Sequence, residues 1–331
     1  MASRFLLLLF LSSLTAAMAS GHHRRTPRLT ADYYAKTCPQ FDKIMQETVY
    51  SKQSSTPTTA AAVLRVFFHD CMVEGCDASV LISSTPSNKA EKDQDINESL
   101  AGDAFDLVHR AKTALEIACP NVVSCADILA FATRNLVKFI GGPFIPIQLG
   151  RKDGLVSMAA HVEPNLARVN TSMDRMIDMF KEKGLTIEEM VALVGGGHTI
   201  GFSHCKEFAD RIFNFPSPSG VDPTLNPKFA DRLKKICADY KTKPTMAAFN
   251  DPLSPGNFDN VYFKNLQNGL GLLASDQALM GDARTKPIVD RFAADQAAFF
   301  KVFTEAMLKT SMVGIKTGKR GEVRARCDRF N

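Results

Sequence analysis

Apolar residues recur at intervals of three and four along most of this 331-residue chain. The residues Phe41, Ile44, Met45 and Val49 show the pattern, which is typical of amphipathic helices. The spacing predicts helices from residue 42 onward and over 57–71, 105–118, 125–138, 173–183, 228–240, 260–266, 285–295 and 297–310. Strand signals are few and short, and no linker divides the chain. We therefore expect a mostly α fold in one globule with interleaved lobes, not two separable domains.

The first residues have the pattern of a secretory signal peptide. Arg4 is followed by the apolar run 5–11, and Ala17-Met18-Ala19 has the small residues of a cleavage site. A membrane anchor is the alternative, but the run falls well short of the roughly 20 apolar residues that a span requires. We predict removal of residues 1–20 and a single mature domain over 21–331. No later segment is apolar enough for a span, so we expect no membrane attachment.

A secretory route gives meaning to the cysteines and to two sequons. The eight cysteines are an even number, which suits four disulfides in an oxidising compartment. Asn97 and Asn170 each begin an Asn-x-Ser/Thr sequon. The net charge of +5 is too small to favour nucleic-acid binding, although it is compatible with weak attraction to an anionic matrix.

A first candidate cluster lies at the end of the second predicted helix. Arg65 and His69 are four positions apart, so they project from the same helix face, and Phe68 stands beside them. The segment 70–79 follows directly and is rich in side-chain and backbone oxygens, which are the ligands that calcium prefers. A helix with Arg and His that ends in a calcium loop suggests a positioned catalytic pair.

A second candidate cluster surrounds His198. Thr186 and Glu189 predict a capping box at the start of its helix. The glycines 195–197 are costly in a helix, at about 1 kcal/mol each relative to alanine, and would suit a flat ligand close to the backbone. A histidine beside a flat ligand suggests ligation of haem iron, and such a histidine usually has a carboxylate partner. Asp276 is a candidate for that partner by its motif only, since spacing alone does not select it.

Several long strings, in order, resemble the secreted plant haem peroxidases of class III. The distal signature of that family resembles 64–81, with the residues LRVFFHDCMVEGCDASVL, and its proximal signature resembles 197–201, GHTIG. Further similar strings lie at 33–39, 123–127, 149–153, 258–260 and 275–277, so the resemblance covers essentially the whole mature chain. It implies the haem-peroxidase fold, in which distal and proximal helical lobes sandwich one haem and strand is scarce.

The resemblance implies a role for each residue of the distal cluster. His69 is similar to the distal acid–base histidine and Arg65 to the distal arginine. Asn97 matches the asparagine that orients the histidine, and Phe68 matches the aromatic residue that shields the iron-bound oxygen. If Asn97 faces His69 in this way, glycosylation there is sterically hard, so Asn170 is the expected glycosylation site.

On the proximal side, the resemblance implies one haem b whose iron is bound by His198, with Asp276 as the partner of that histidine. Pro164 matches the residue that lines the access site for aromatic donors.

Two calcium ions and four disulfides are also implied by the resemblance alone. The first calcium would use Asp70, Val73, Gly75, Asp77 and Ser79, with Glu91 linking this site to the distal pocket. The second would use Thr199, Asp251, Ser254, Asn257 and Asp259. The implied disulfides are Cys38–Cys119, Cys71–Cys76, Cys125–Cys327 and Cys205–Cys237.

These expectations describe an active, monomeric, secreted peroxidase. It would reduce hydrogen peroxide and oxidise phenolic or similar aromatic donors in one-electron steps, with roles in cell-wall and lignin chemistry and in the response to oxidative stress. We expect the apoplast or cell wall over the vacuole, and weak binding to anionic wall polysaccharide. The alternative is a catalytically inactive relic of the fold that binds calcium and the wall.

Overall fold

The computed structural model describes residues 29–331, and the predicted signal peptide lies outside them. Within these residues the chain forms twelve α-helices and a two-stranded antiparallel ribbon, with short 3-10 turns between them. The helices are α1 (Phe41–Ser55), α2 (Thr59–Met72), α3 (Gly102–Ala118), α4 (Cys125–Phe139), α5 (Met173–Glu182), α6 (Ile187–His198), α7 (Ala209–Phe213), α8 (Pro227–Ile236), α9 (Val261–Gln267), α10 (Ala274–Gly281), α11 (Lys286–Ala294) and α12 (Gln296–Thr310). The strands are β1 (Phe202–His204) and β2 (Ala247–Phe249), in which Phe202 pairs with Phe249. The predicted mostly α class is confirmed.

Two helices were not predicted from the apolar spacing. The five residues of α7 are too few to show a period. In α10 the buried face carries Asp276 between apolar residues, and this polar residue interrupts the pattern. The predicted helix over 228–240 ends earlier, at Ile236, because Cys237 is its C-cap.

The helix that ends at His198 begins where the sequence predicts. Thr186 Oγ1 accepts a hydrogen bond from the Glu189 N–H at 3.2 Å, and Glu189 Oε2 accepts one from the Thr186 N–H at 2.8 Å. This reciprocal pair is the predicted capping box, which is therefore confirmed. The cap fixes the start of α6 and thereby the position of its last residue, His198.

Two of the three glycines in α6 are required by helix packing. A Cβ on Gly195 would lie 2.2 Å from the Phe263 ring of α9, and one on Gly196 would lie 2.2 Å from the Phe303 ring of α12. Real Cβ atoms do not approach other atoms so closely, so the phenyl rings occupy the space of the missing side chains. The prediction that these glycines admit a flat ligand is wrong for Gly195 and Gly196. It stays a prediction for Gly197, beside which no atom lies within 4 Å of a built Cβ.

Covalent bonds and a buried ion pair hold the helices together. The cysteines are joined in the four pairs that the resemblance implied. Cys71–Cys76 closes the loop after α2, and Cys125–Cys327 ties the start of α4 to the C-terminal segment. Asp127 and Arg151 are fully buried and lie 3.0 Å apart, which joins α4 to the loop that follows it. None of the helices within 29–331 has both the length and the apolarity that crossing a bilayer demands.

Candidate active site

The distal cluster is built on one face of α2. Arg65 and His69 lie one helical turn apart, and Arg65 Nε donates to His69 Nε2 at 3.3 Å. The other ring nitrogen, Nδ1, lies 2.7 Å from Asn97 Oδ1. Because the Asn97 amide nitrogen donates to the Glu91 carbonyl at 2.8 Å, its oxygen is the atom that faces the histidine. Nδ1 of His69 therefore carries the proton, and the electron pair of Nε2 is the one that accepts the hydrogen bond from Arg65.

Burial keeps the His69 imidazole neutral. The side chain is buried, and this burial lowers its pKa to about 3, assisted by the positive charge of Arg65 and opposed by the hydrogen bond that His69 donates to Asn97. A buried imidazole without a carboxylate neighbour stays uncharged over the range in which most enzymes work. His69 is thus a neutral base whose unprotonated nitrogen, Nε2, accepts a hydrogen bond from the Arg65 guanidinium.

Three backbone and hydroxyl contacts fix the Arg65 guanidinium. It donates to the carbonyl of Ser99 at 3.1 Å, to the hydroxyl of Ser99 at 3.0 Å and to the carbonyl of Ile96 at 3.2 Å. Sequence reasoning missed both of these partners. Only the hydroxyl contact had a possible signal, since Ser99 is the third residue of the Asn97 sequon, whereas a carbonyl acceptor leaves no trace in residue type. The contacts hold the positive charge in one place beside His69.

Phe68 lies next to His69 on α2 and packs against Phe180 of α5, with ring centroids 5.8 Å apart. The contact links the distal helix to the helix that follows the segment containing Pro164.

The proximal cluster places a carboxylate behind His198. Nδ1 of His198 lies 2.7 Å from Asp276 Oδ1, and the fully buried Asp276 also accepts hydrogen bonds from the Tyr262 hydroxyl at 2.9 Å and the Leu273 N–H at 3.2 Å. Tyr262 was not found by sequence reasoning, because one tyrosine on a buried helix face looks like core. The arrangement leaves Nε2 of His198 as its only nitrogen without a partner among the described residues.

The pKa values of His198 and Asp276 are shifted in opposite directions. Burial lowers the pKa of His198, but the charge and the hydrogen bond of Asp276 outweigh it, so the pKa of His198 is raised overall. Burial raises the pKa of Asp276, and the charge of His198 with its hydrogen bonds brings it below its usual range. Asp276 therefore stays ionised and draws the Nδ1 proton, which makes His198 electron-rich at Nε2.

Both histidines lie within electrostatic range of the same guanidinium. The charge of Arg65 contributes to lowering the pKa of His69 and opposes the rise in the pKa of His198. The helices that carry them, α2 and α6, are also in contact. The structure therefore brings together the two histidines that the sequence places 129 positions apart.

The segment 70–79 concentrates negative charge in the interior. Burial and the nearby Asp77 raise the pKa of Asp70 to about 8, while burial and the charge of Asp70 raise the pKa of Glu91 to about 9. The Ser79 hydroxyl donates to Glu91 Oε2 at 3.2 Å, and Glu91 Oε1 is buried without a hydrogen-bond partner. Buried carboxylates with an unsatisfied oxygen fit a calcium ion, which would balance the charge.

The remaining predicted ligands of this site lie on the same loop. Val73 caps α2, and Gly75 has a positive φ of 114° where it packs against Gly314.

Four of the five predicted ligands of the second calcium converge. The hydroxyl of Ser254 lies 3.1 Å from both Asp251 Oδ2 and Asp259 Oδ1, and the Thr199 hydroxyl donates to the Asp259 carbonyl at 2.9 Å. Asn257 is exposed on the same loop and donates its N–H to the Ser254 carbonyl. Nowhere in 29–331 do three or more acidic, His or Cys side chains form a metal-binding group, so both sites would need hydroxyl and carbonyl oxygens beside their aspartates.

Pro164, which is predicted to line the site for aromatic donors, and the two sequon asparagines differ in their exposure to solvent. Pro164 is exposed in the 3-10 turn Glu163–Asn165. Asn170 is exposed, whereas Asn97 is 2% exposed and fully engaged in hydrogen bonds. This burial is consistent with the expectation that Asn170, not Asn97, carries a glycan.

A helical fold that brings a His–Arg pair on α2 together with a carboxylate-held histidine on α6 is typical of the haem peroxidases. A family model described as "Peroxidase" matches residues 45–295. The chain is 58% identical to Peroxidase 41 of Arabidopsis thaliana, over 99% of this chain and 96% of the relative. It is 55% identical to Peroxidase 6 and 56% identical to Peroxidase 65 of the same plant, over 92% of this chain and 92% and 89% of those relatives.

The chain therefore belongs to the peroxidase family, and its relatives place it among the class III haem peroxidases of plants. The predicted enzyme class is confirmed. Family membership implies haem and calcium as cofactors in general, and hydrogen peroxide and aromatic donors as substrates.

Proposed function

We propose that this enzyme reduces hydrogen peroxide at one haem b between His69 and His198, and that it oxidises phenolic donors in the cell wall. The observation that carries the proposal is the neutral, buried His69, whose Nδ1 is fixed by Asn97 and whose Nε2 lies beside Arg65. An imidazole held in this state is equipped to take a proton from one oxygen of peroxide and to deliver it to the other.

On the distal side, His69 transfers the proton and Arg65 stabilises negative charge. Nε2 of His69 accepts the first proton of peroxide, because Nδ1 already carries its own proton and donates it to Asn97. The same nitrogen then returns the proton to the departing oxygen, which leaves as water. The guanidinium of Arg65, held by Ser99 and Ile96, stabilises the negative charge that develops on that oxygen.

On the proximal side, His198 would hold the iron through Nε2, while Asp276 and Tyr262 keep the ring oriented. Haem bound there would supply the redox chemistry that cleaves the oxygen–oxygen bond and accepts single electrons from donors. The negative charge of Asp276 makes His198 a stronger electron donor and so favours an oxidised metal.

Two calcium ions complete the proposed holoenzyme. The first would bind at 70–79 with Glu91 as the link to the pocket, and the second at Thr199 and 251–259. Both loops adjoin a proposed functional histidine in sequence, since His69 precedes Asp70 and His198 precedes Thr199. Calcium would therefore hold the ends of α2 and α6 in place.

Aromatic donors would approach near Pro164, which is exposed. We propose a monomeric glycoprotein of the apoplast or cell wall, modified at Asn170, in which a small excess of basic residues permits weak contact with anionic polysaccharide. Its roles would lie in the oxidation of wall and lignin phenolics and in the response to oxidative stress.

The alternative, an inactive relic that binds calcium and the wall, is disfavoured by the intact geometry. The distal hydrogen bonds and the pair of His198 with Asp276 all have lengths of 2.7–3.3 Å. The test is the absorption spectrum of the secreted protein before and after one equivalent of hydrogen peroxide, followed by guaiacol oxidation in comparison with His69→Ala. A Soret band that changes within the mixing time and a large loss of rate in the variant support the proposal. A Soret band that does not respond to peroxide would favour the relic.

A further inference from the structure

Each residue of the turn Glu163–Asn165 is held by a different cation. The Arg168 guanidinium contacts both carboxylate oxygens of Glu163, at 2.6 and 2.8 Å. Arg175 donates to the Pro164 carbonyl at 2.8 Å, and Lys183 donates to the Asn165 side-chain oxygen at 2.8 Å. We call Arg168, Arg175 and Lys183 the Pro164 clamp.

Two members of the clamp also reach the segments that follow the distal helix. Arg168 donates to Asp95 Oδ2 at 2.8 Å, and Asp95 begins the 3-10 turn that ends at Asn97. Lys183 Nζ lies 3.4 Å from the Val73 carbonyl, in the loop after α2. The turn at Pro164 is therefore tied to the distal half of the site from both sides.

A second set of contacts reinforces the tie to the loop after α2. The ring of His161 contacts the Glu74 carboxylate, and the Asn165 amide donates to the His161 carbonyl at 2.9 Å. The backbone on both sides of Pro164 is thereby joined to the loop that begins at Val73.

We propose that the Pro164 clamp is a positioning device for the aromatic donor: it sets the place of the Pro164 turn and thereby the affinity for donors, without taking part in the reaction with peroxide. The inference rests on the proposed donor site at Pro164. The side chains of Arg168, Arg175 and Lys183 make no hydrogen bond to Arg65 or His69, and Arg168 reaches the turn of Asn97 only through Asp95 at its start, so we expect little effect on the proton transfer.

The solvent exposure of the clamp side chains determines how strongly they affect the KM for the donor and how that effect depends on salt. The Arg168 side chain is 39% exposed, and exposed ion pairs contribute little individually and are weakened by salt. We expect the loss of one clamp cation to raise the KM for the donor about threefold, and the loss of two about tenfold. The KM of the unaltered enzyme for an uncharged donor should also rise with salt, because the clamp is the charged element.

The test measures steady-state oxidation of guaiacol, an uncharged phenol, by the holoenzymes of Arg168→Gln, Lys183→Gln and the double variant. Arg326→Gln is the matched control for the first variant, because Arg326 makes the same two-pronged contact, through Nε and Nη2, with the carboxylate of Asp328. Lys181→Gln is the control for the second. The reaction with peroxide is measured separately from the change of the Soret band.

The expected result is a higher donor KM in the clamp variants, with kcat and the peroxide rate constant within about twofold of the unaltered enzyme. Arg168→Lys should restore part of the affinity, because it keeps the charge and loses only the two-pronged contact. Raising the NaCl concentration from about 20 mM to about 0.5 M should raise the KM of the unaltered enzyme more than that of the double variant.

An unchanged donor KM in the double variant would overturn the proposed role of the clamp. A fall in the peroxide rate constant that accompanies the rise in donor KM would also overturn it, because it would place these residues in the distal reaction. Pro164→Ala separates this failure from that of the donor site: if it raises the KM while the clamp variants do not, only the clamp fails. Absence of guaiacol oxidation by the unaltered holoenzyme would instead be a failure of the proposed function.

Discussion

Replacement of Asn97 by aspartate should change the pH profile of the reaction with peroxide: the loss of rate on the acid side of the profile, the acid limb, should occur at higher pH. His69 has a pKa of about 3 and must be neutral to accept a proton, so the unaltered enzyme loses activity only as the pH falls through about 3. In Asn97→Asp a carboxylate replaces the amide oxygen that lies 2.7 Å from Nδ1. An opposite charge at this distance raises a pKa by about 1–3 units, which places the limb between about pH 4 and 6.

The assay is the second-order rate constant for the reaction with peroxide, followed from the Soret band between pH 3 and 8. One unit below its new pKa the variant should react about tenfold more slowly than at its plateau, while the unaltered enzyme keeps about half or more of its own plateau rate. Asn97→Val is the control for the hydrogen bond lost to the Glu91 carbonyl, and Asn268→Asp is the control for an added charge at the surface. An Asn97→Asp limb that coincides with that of the unaltered enzyme would refute the assignment of His69 as the proton acceptor.

Three further predictions concern stability. Gly195→Ala should lower the free energy of unfolding by about 1–3 kcal/mol in denaturant titrations, because its Cβ overlaps a phenyl ring, whereas Gly281→Ala, which meets no atom, should not. Asp127→Asn should cost about 3–5 kcal/mol, since it leaves Arg151 buried without its counter-charge; a loss below 1 kcal/mol would contradict this. Chelation of calcium should lower the melting temperature by about 5 °C or more in calorimetry, because the carboxylates of 70–79 lose the balancing cation, and an unchanged temperature would argue against that site.

The pair Arg65 and His69 could be found from sequence because the two residues lie close together in it, whereas Asn97, 28 positions from His69, was identified by the resemblance. Arg65 and His69 share a helix face, and helical spacing alone places them side by side. Asp276 lies 78 positions from His198, and spacing gives no reason to select it among the acidic residues, so only the resemblance identified it. Tyr262 was missed for the same reason, since its hydroxyl gains a function only through the fold that places it 2.9 Å from Asp276.

The glycines of α6 show a different limit of sequence reasoning. Their residue type indicates that something approaches the helix closely, and this much is correct. The identity of the neighbour depends on which helices pack against α6, and the rings of Phe263 and Phe303 come from α9 and α12, more than 60 residues further along the chain. Gly195 and Gly196 therefore do mark a close contact, whereas Gly197 in the same helix does not, and only the tertiary structure distinguishes a packed ring from a bound ligand.

The two histidines show that the surroundings of a residue, and not its type, decide its chemistry. Both are embedded among helices, and burial lowers the pKa of both. The amide oxygen of Asn97 accepts a hydrogen bond from Nδ1 of His69, and the Arg65 guanidinium faces its Nε2. The ring therefore stays neutral and available for a proton. The carboxylate of Asp276 accepts a hydrogen bond from Nδ1 of His198 and outweighs the lowering of its pKa by burial. That ring is therefore suited to hold a metal. Exchange of the partners, by Asn97→Asp together with Asp276→Asn, should therefore impair both functions, with a raised acid limb on the distal side and a lower affinity for haem on the proximal side.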